Sequence, residues 1–126
     1  IIDDKKRRIS EKVKNTIIQL IHQQDLVLPN NLSDILTDTL HLDYNYISNL
    51  FSETEGTTIE KYFIAQKIER VKELIMLEDA SIKEISYLLH YSSAAHLSNQ
   101  FKKITGLTPT HFKALKEKRR LTIQDL

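Results

Sequence analysis

Two stretches of this 126-residue chain carry small polar side chains in the same order. Residues 40–51 read LHLDYNYISNLF and residues 89–101 read LHYSSAAHLSNQF. Amide, hydroxyl and methyl groups in this pattern do not make or break bonds; they suit reading the edges of nucleic-acid bases. An Asn amide can bond adenine N6 and N7 together, an Ala methyl can pack on a thymine methyl, and a Ser hydroxyl reads weakly. The candidate base-reading groups are Tyr44, Asn45, Ser48 and Asn49 in the first stretch and Ala94, Ala95, Ser98 and Asn99 in the second. Ser52, Ser93 and Lys102 share those outward faces. Lys83 stands shortly before the second stretch and Lys102, Lys103 and Lys113 follow it; all four suit phosphate contacts. Such contacts fix register and carry most of the salt-sensitive affinity. The same residues also occur on inert solvated faces, so their repetition is what singles them out.

Other chemistry finds no foothold. The five His residues, 22, 41, 90, 96 and 111, make no H-x3-H pair and no partnership with a carboxylate. No zinc pattern follows from them. There is no phosphate-cradling glycine loop and no nucleophile elbow. Without cysteine, disulfides and thiolate metal sites are excluded. No catalytic residue, metal or cofactor is expected. His96 reads equally as a flank of the core or as a base contact.

Composition is that of an ordinary globular domain, 40% apolar and 28% charged. Apolar runs are only a few residues long, short of the ~18 needed to span a bilayer, so no membrane partner is expected. The chain begins Ile1-Ile2 instead of Met, which suggests a piece of something longer. Net charge is +1, weak for a nucleic-acid binder. Its distribution is lopsided. Residues 29–56 hold no Lys or Arg and five acids, Asp34, Asp38, Asp43, Glu53 and Glu55; residues 80–126 hold eight Lys/Arg against three acids.

Two Gly and two Pro leave few breaks, and nothing alternates with period two for long. Ile9, Val13, Ile17, Leu20 and Ile21 mark a leader helix over 9–24. The preceding Lys5, Lys6, Arg7 and Arg8 are either an arm that touches phosphates or a solvated leader. Pro29-Asn30-Asn31 is the linker. A short helix runs to Leu40, and Asp43 caps a second with Ile47, Leu50 and Phe51 inward. Gly56 ends it, and Thr57 with Glu60 forms a capping box for a long helix over 58–77, its apolar face running from Ile59 to Leu77. Ser81 with Glu84 opens another helix. Ser92 or Ser93 caps the next, with Leu97, Phe101 and Ile104 inward. Gly106 closes it, and Thr108-Pro109 starts a last helix anchored by Phe112 and Leu115 that frays over 116–120.

Leu36, Leu40 and His41 match Ile85, Leu89 and His90 at an offset of 49; Ile47, Ser48, Asn49, Phe51, Gly56, Thr58 and Tyr62 match Leu97, Ser98, Asn99, Phe101, Gly106, Thr108 and Phe112 at an offset of 50. Each copy is a short helix, a tight turn and a longer helix, a helix-turn-helix. The expected fold is all-α: about seven helices, two helix-turn-helix units joined by a long linker helix. Residues 1–28 form the leader and 29–126 the bipartite domain. A helix of about 20 residues is roughly 30 Å long, near the ~34 Å between successive major grooves.

Residues 30–116 resemble the DNA-binding domain of AraC-type bacterial transcription regulators. The resemblance is carried by Ser81–Leu89, by Ser92–Phe101, and above all by 101–113, FKKITGLTPTHFK. Tyr62, Lys67, Ile68, Arg70 and Leu74 are similar to that family's linker helix. The resemblance implies sequence-specific binding of double-stranded DNA in the cytoplasm, with recognition helices at about 44–55 and 93–104. It also implies RNA polymerase or a covalently linked sensor domain as partner; self-association through the leader's apolar stripe is a further route. Two departures stand out. The family usually places Gly where His41 and His90 stand, at a turn that needs left-handed backbone. Asn49 and Asn99 occupy positions that often carry Arg. With its five acids the first unit is expected to read lightly or to engage a protein, while the second anchors. A protein-interaction module on the same fold is the rival reading.

Overall fold

The computed structural model describes residues 3–23 and 31–124, apart from the side chains of 120–124. Its elements are α1 (Asp4–His22), α2 (Leu32–Leu40), α3 (Tyr44–Glu55), α4 (Ile59–Leu77), α5 (Ile82–Leu88), α6 (Ala94–Thr105) and α7 (Pro109–Gln124). No strand occurs among the described residues. The chain divides into two compact units, residues 1–66 and 67–126, with the division inside α4. The leader boundary expected at 28/29, and Pro29 and Asn30 of the expected linker, lie outside the described residues.

In the first unit, α1 packs on α2 and α3, and α2 packs on α3. α1 begins five residues earlier than its apolar stripe suggests, because the Asp3 side chain accepts from the Lys6 N–H at 2.8 Å and starts the helix ahead of the basic run. Its buried Ile9, Val13, Ile17 and Ile21 join Leu36, Ile47, Leu50, Phe51 and Ile59 in the core. In the second unit the core is Ile68, Val71, Leu74, Ile75, Ile85, Leu89, Tyr91, Leu97 and Phe101. α5 packs on α6 and α6 on α7. Lys116 of α7 donates to the Ile75 carbonyl at 2.7 Å, satisfying one of the open acceptors at the C-terminal end of α4.

The repeat survives in three dimensions. Phe51 meets Tyr62 edge-on with centroids 5.6 Å apart and rings at 65°; Phe101 meets Phe112 at 5.7 Å and 64°. Gly56 and Gly106 end α3 and α6 in the left-handed region, at φ 71° and 85°. His41 and His90 are left-handed too, at φ 58° and 60°.

Several local expectations need correction. The cap of α4 is Thr58, whose Oγ1 accepts from the Lys61 N–H at 3.1 Å, and not Thr57. Its counterpart Thr108 does the same for His111, also at 3.1 Å. Leu77 is 80% exposed, Ile104 47% and Leu115 45%, so none of the three is a core anchor. Helical spacing places them on flanks that no described neighbour covers. α7 continues to Gln124 instead of fraying from 116.

Candidate nucleic-acid interface

Each helix-turn-helix positions its second helix with a side-chain cap. Asp43 Oδ2 accepts from the Asn45 N–H at 3.0 Å, and Ser93 Oγ accepts from the His96 N–H at 3.0 Å. Of the two candidate caps, Ser93 is therefore the one used. α5 carries the expected capping box: Ser81 Oγ takes the Glu84 N–H at 3.1 Å, and Glu84 takes the Ser81 N–H at 3.4 Å. At the turn after α5, the Tyr91 N–H reaches back to the Ser86 carbonyl at 2.9 Å. That closure requires His90 to be left-handed.

With Ile47, Leu50 and Phe51 buried, α3 turns Asn45 and Asn49 fully outward, with Ser48 half-buried on the same side. With Leu97 and Phe101 buried, α6 turns out Ala94, Ala95, Asn99, Lys102 and Lys103, with Ser98 half-buried among them. Lys83 is exposed on α5 and Lys113 half-buried on α7. Tyr44 is less available than its position suggests. It is half-buried, and its hydroxyl donates to Glu60 at 2.9 Å. Burial, then the Glu60 bond, pushes its phenol up to about 12.

Sequence reasoning passed over several groups. Tyr46 on α3 and Tyr87 on α5 are exposed, Tyr87 by 82%. Aromatic residues are counted inward by default, and only the observed packing says otherwise. His96 is exposed, with Nδ1 3.1 Å from Ser92 Oγ and its ring edge-on to Tyr91 at 5.2 Å. Tyr91 donates to Gln100 Oε1 at 2.7 Å and lies under the Lys67 ammonium, 3.9 Å from the ring centroid. Burial pushes Tyr91 up to about 12 and Lys67 down to about 8, the latter against the pull of the ring face.

The acids of α3 are also less free than the sequence implies. Glu55 takes a hydrogen bond from the buried Ser10 hydroxyl at 2.8 Å and pairs with Lys14 at 2.9 Å; Glu53 pairs with Lys6 at 3.5 Å. The Lys14 bond, assisted by Ser10, holds the Glu55 carboxyl below its ordinary value. α1 thus neutralises the two acids that oppose the dipole at the C-terminal end of α3. Lys6 and Lys14 stand a full helix away in sequence, and no local pattern links them to Glu53 and Glu55.

The fold and its two outward faces define a bipartite helix-turn-helix domain. A family model described as a helix-turn-helix domain matches residues 36–114. The chain belongs to that family, the AraC-type helix-turn-helix regulators. It is 26% identical to the uncharacterized HTH-type transcriptional regulator YtdP of Bacillus subtilis over 84% of this chain and 14% of that one. It is 26% identical to the melibiose operon regulatory protein of Escherichia coli over 69% of this chain and 29% of that one. The chain therefore spans less than a third of the length of either relative. Among solved structures, the DNA-binding domain of AdpA, a global transcriptional factor crystallised with a target DNA, superposes with a TM-score of 0.71. It is 20% identical, and the match covers 89% of this chain and 95% of that one.

Proposed function

We propose that this chain is the DNA-reading part of a transcription regulator and binds double-stranded DNA sequence-specifically. Each unit would present its second helix, α3 or α6, to a major groove. The observation that carries this reading is the duplicated outward face: Asn45, Ser48 and Asn49 on α3 and Ala95, Ser98 and Asn99 on α6, at equivalent positions on equivalently capped helices. Asn and Ala at those places favour A·T pairs, most clearly under α6. Lys102, Lys103, Lys83 and Lys113 would hold phosphates. Regulation would come from partners outside this chain, a linked sensor domain or RNA polymerase.

The test is fluorescence anisotropy with duplex DNA across a salt series, followed by site selection from a random library. Steeply salt-dependent binding and an A·T-rich consensus under the second unit are expected. No binding at low salt, or a G·C-rich consensus there, would count against it. Inserting about five base pairs between the half-sites should abolish binding if the two helices use successive major grooves.

A second reading attaches to the first unit alone. Asp34 and Asp38 are exposed on α2, which carries no cation. A basic protein surface is a better match for that helix than a phosphate backbone.

A further inference from the structure

α1 opens with four cations, Lys5, Lys6, Arg7 and Arg8, at the positive end of its helix dipole. Cations there are unfavourable; Asp3 and Asp4 suit that end, and the cations do not. Lys6 is occupied with Glu53, and Arg7 lines a hollow with Glu11, Thr54 and Glu55. Lys5, Arg8 and Lys12 are exposed and form no ion pair among the described residues. Offsets of three and four place these three in one row along the solvent side of α1. Like charges at that spacing repel. The row therefore costs α1 stability, and none of its three cations is held in an ion pair among the described residues.

The row also lies in the unit that is poorest in positive charge. The first unit holds seven Lys/Arg against ten Asp/Glu, while the second holds eleven against seven. The Lys6–Glu53 contact keeps the start of the row beside the last turn of α3. We propose that Lys5, Arg8 and Lys12 are the phosphate-binding groups of the first unit. DNA contact then extends onto a helix that precedes the stretch matched by the family model, which begins at residue 36. This inference rests on the DNA reading above.

The experiment compares the whole chain with its K5Q/R8Q/K12Q and K5E/R8E/K12E variants, by anisotropy on the selected duplex over a salt series and by thermal melting. Each phosphate contact contributes about 0.9 to the slope of log K against log salt. The Gln variant should lower that slope by roughly two to three. The Gln variant should melt at or above the wild-type temperature, because it relieves repulsion at the helix start; the Glu variant, a like-charge row of opposite sign, should bind more weakly still. Binding and stability thus move in opposite directions, which a purely structural role does not produce. An unchanged slope in the Gln variant, with wild type still binding, overturns the inference and leaves the DNA reading standing. A slope change accompanied by lost helicity assigns the row to folding and overturns it too. Wild type that binds no duplex at low salt overturns the DNA reading, and this inference with it.

Discussion

Asp34 and Asp38 on the outer face of α2 correspond to Lys83 and Tyr87 on α5, and Glu53 and Glu55 at the end of α3 correspond to Lys103 and Thr105 on α6. The two units share caps, turns and aromatic pairs, yet their charged surfaces are nearly opposite. In α6 the last turn carries Lys102 and Lys103, which suit the dipole at that end. In α3 the last turn carries acids, and Lys6 and Lys14 of α1 compensate them. Thr105 needs no outside help: its hydroxyl donates to the Phe101 carbonyl at 2.8 Å and accepts from the Leu107 N–H at 3.1 Å. The lesson is that a duplicated fold constrains the buried positions and leaves the outer charges free to diverge, because packing tolerates few changes of shape while solvent tolerates either sign.

The comparison can be broken first at its shared part. Phe51→Ala and Phe101→Ala should each cost about 3–5 kcal/mol, as buried aromatic deletions do, and denaturant unfolding should show similar losses for both. A loss confined to one variant would mean the two cores are not equivalent. Next comes the divergent part. Replacing Lys102 and Lys103 with Gln should weaken DNA binding by roughly thirtyfold near physiological salt if both touch phosphate. Changing Ser48 and Asn49 to Ala should weaken it less, by about fivefold, the low end of what one base contact contributes. Equal losses would remove the distinction between an anchoring and a lightly reading unit.

A smaller effect sharpens the role of α1. Lys14→Met should destabilise the first unit by about 1 kcal/mol, below the ~1.5–3 kcal/mol of a hydrogen bond to a charged group because both partners keep some contact with solvent. Because Glu55 titrates below its ordinary value when folded, its contribution is present above the unfolded carboxylate range. It is lost as pH falls through the depressed value, and Lys14→Met should flatten that acid limb of the melting profile. The second unit should respond at the other end of the scale. Lys67, lowered to about 8, binds fewer protons when folded, so its contribution rises from about pH 8 towards the unfolded lysine value. Tyr91, raised to about 12, keeps its proton when folded, so stability then falls from about pH 10 to 12. Tyr91→Phe should remove the part of that alkaline loss due to this residue. The smallest effect is backbone relief. His41→Gly and His90→Gly should each be neutral or stabilising by up to about 1 kcal/mol, since both positions are left-handed.

Local chemistry determined a large share of this protein. Caps at Asn31, Asp43, Ser81 and Ser93, glycines at 56 and 106, and apolar spacing fixed where most helices run, since each acts within a turn or two of itself. The repeat pointed to the two outward faces, and the 101–113 stretch to the family. What the sequence alone left undecided was set by contacts between distant residues. Glu55 finds Ser10 and Lys14, Tyr44 finds Glu60, Lys67 covers Tyr91, and Lys116 reaches the Ile75 carbonyl. Leu77, Ile104 and Leu115 look apolar enough to be buried and are not. Periodicity marks which residues share a face of a helix; only the packing of other helices against that face decides which of them leave water and which charges are cancelled.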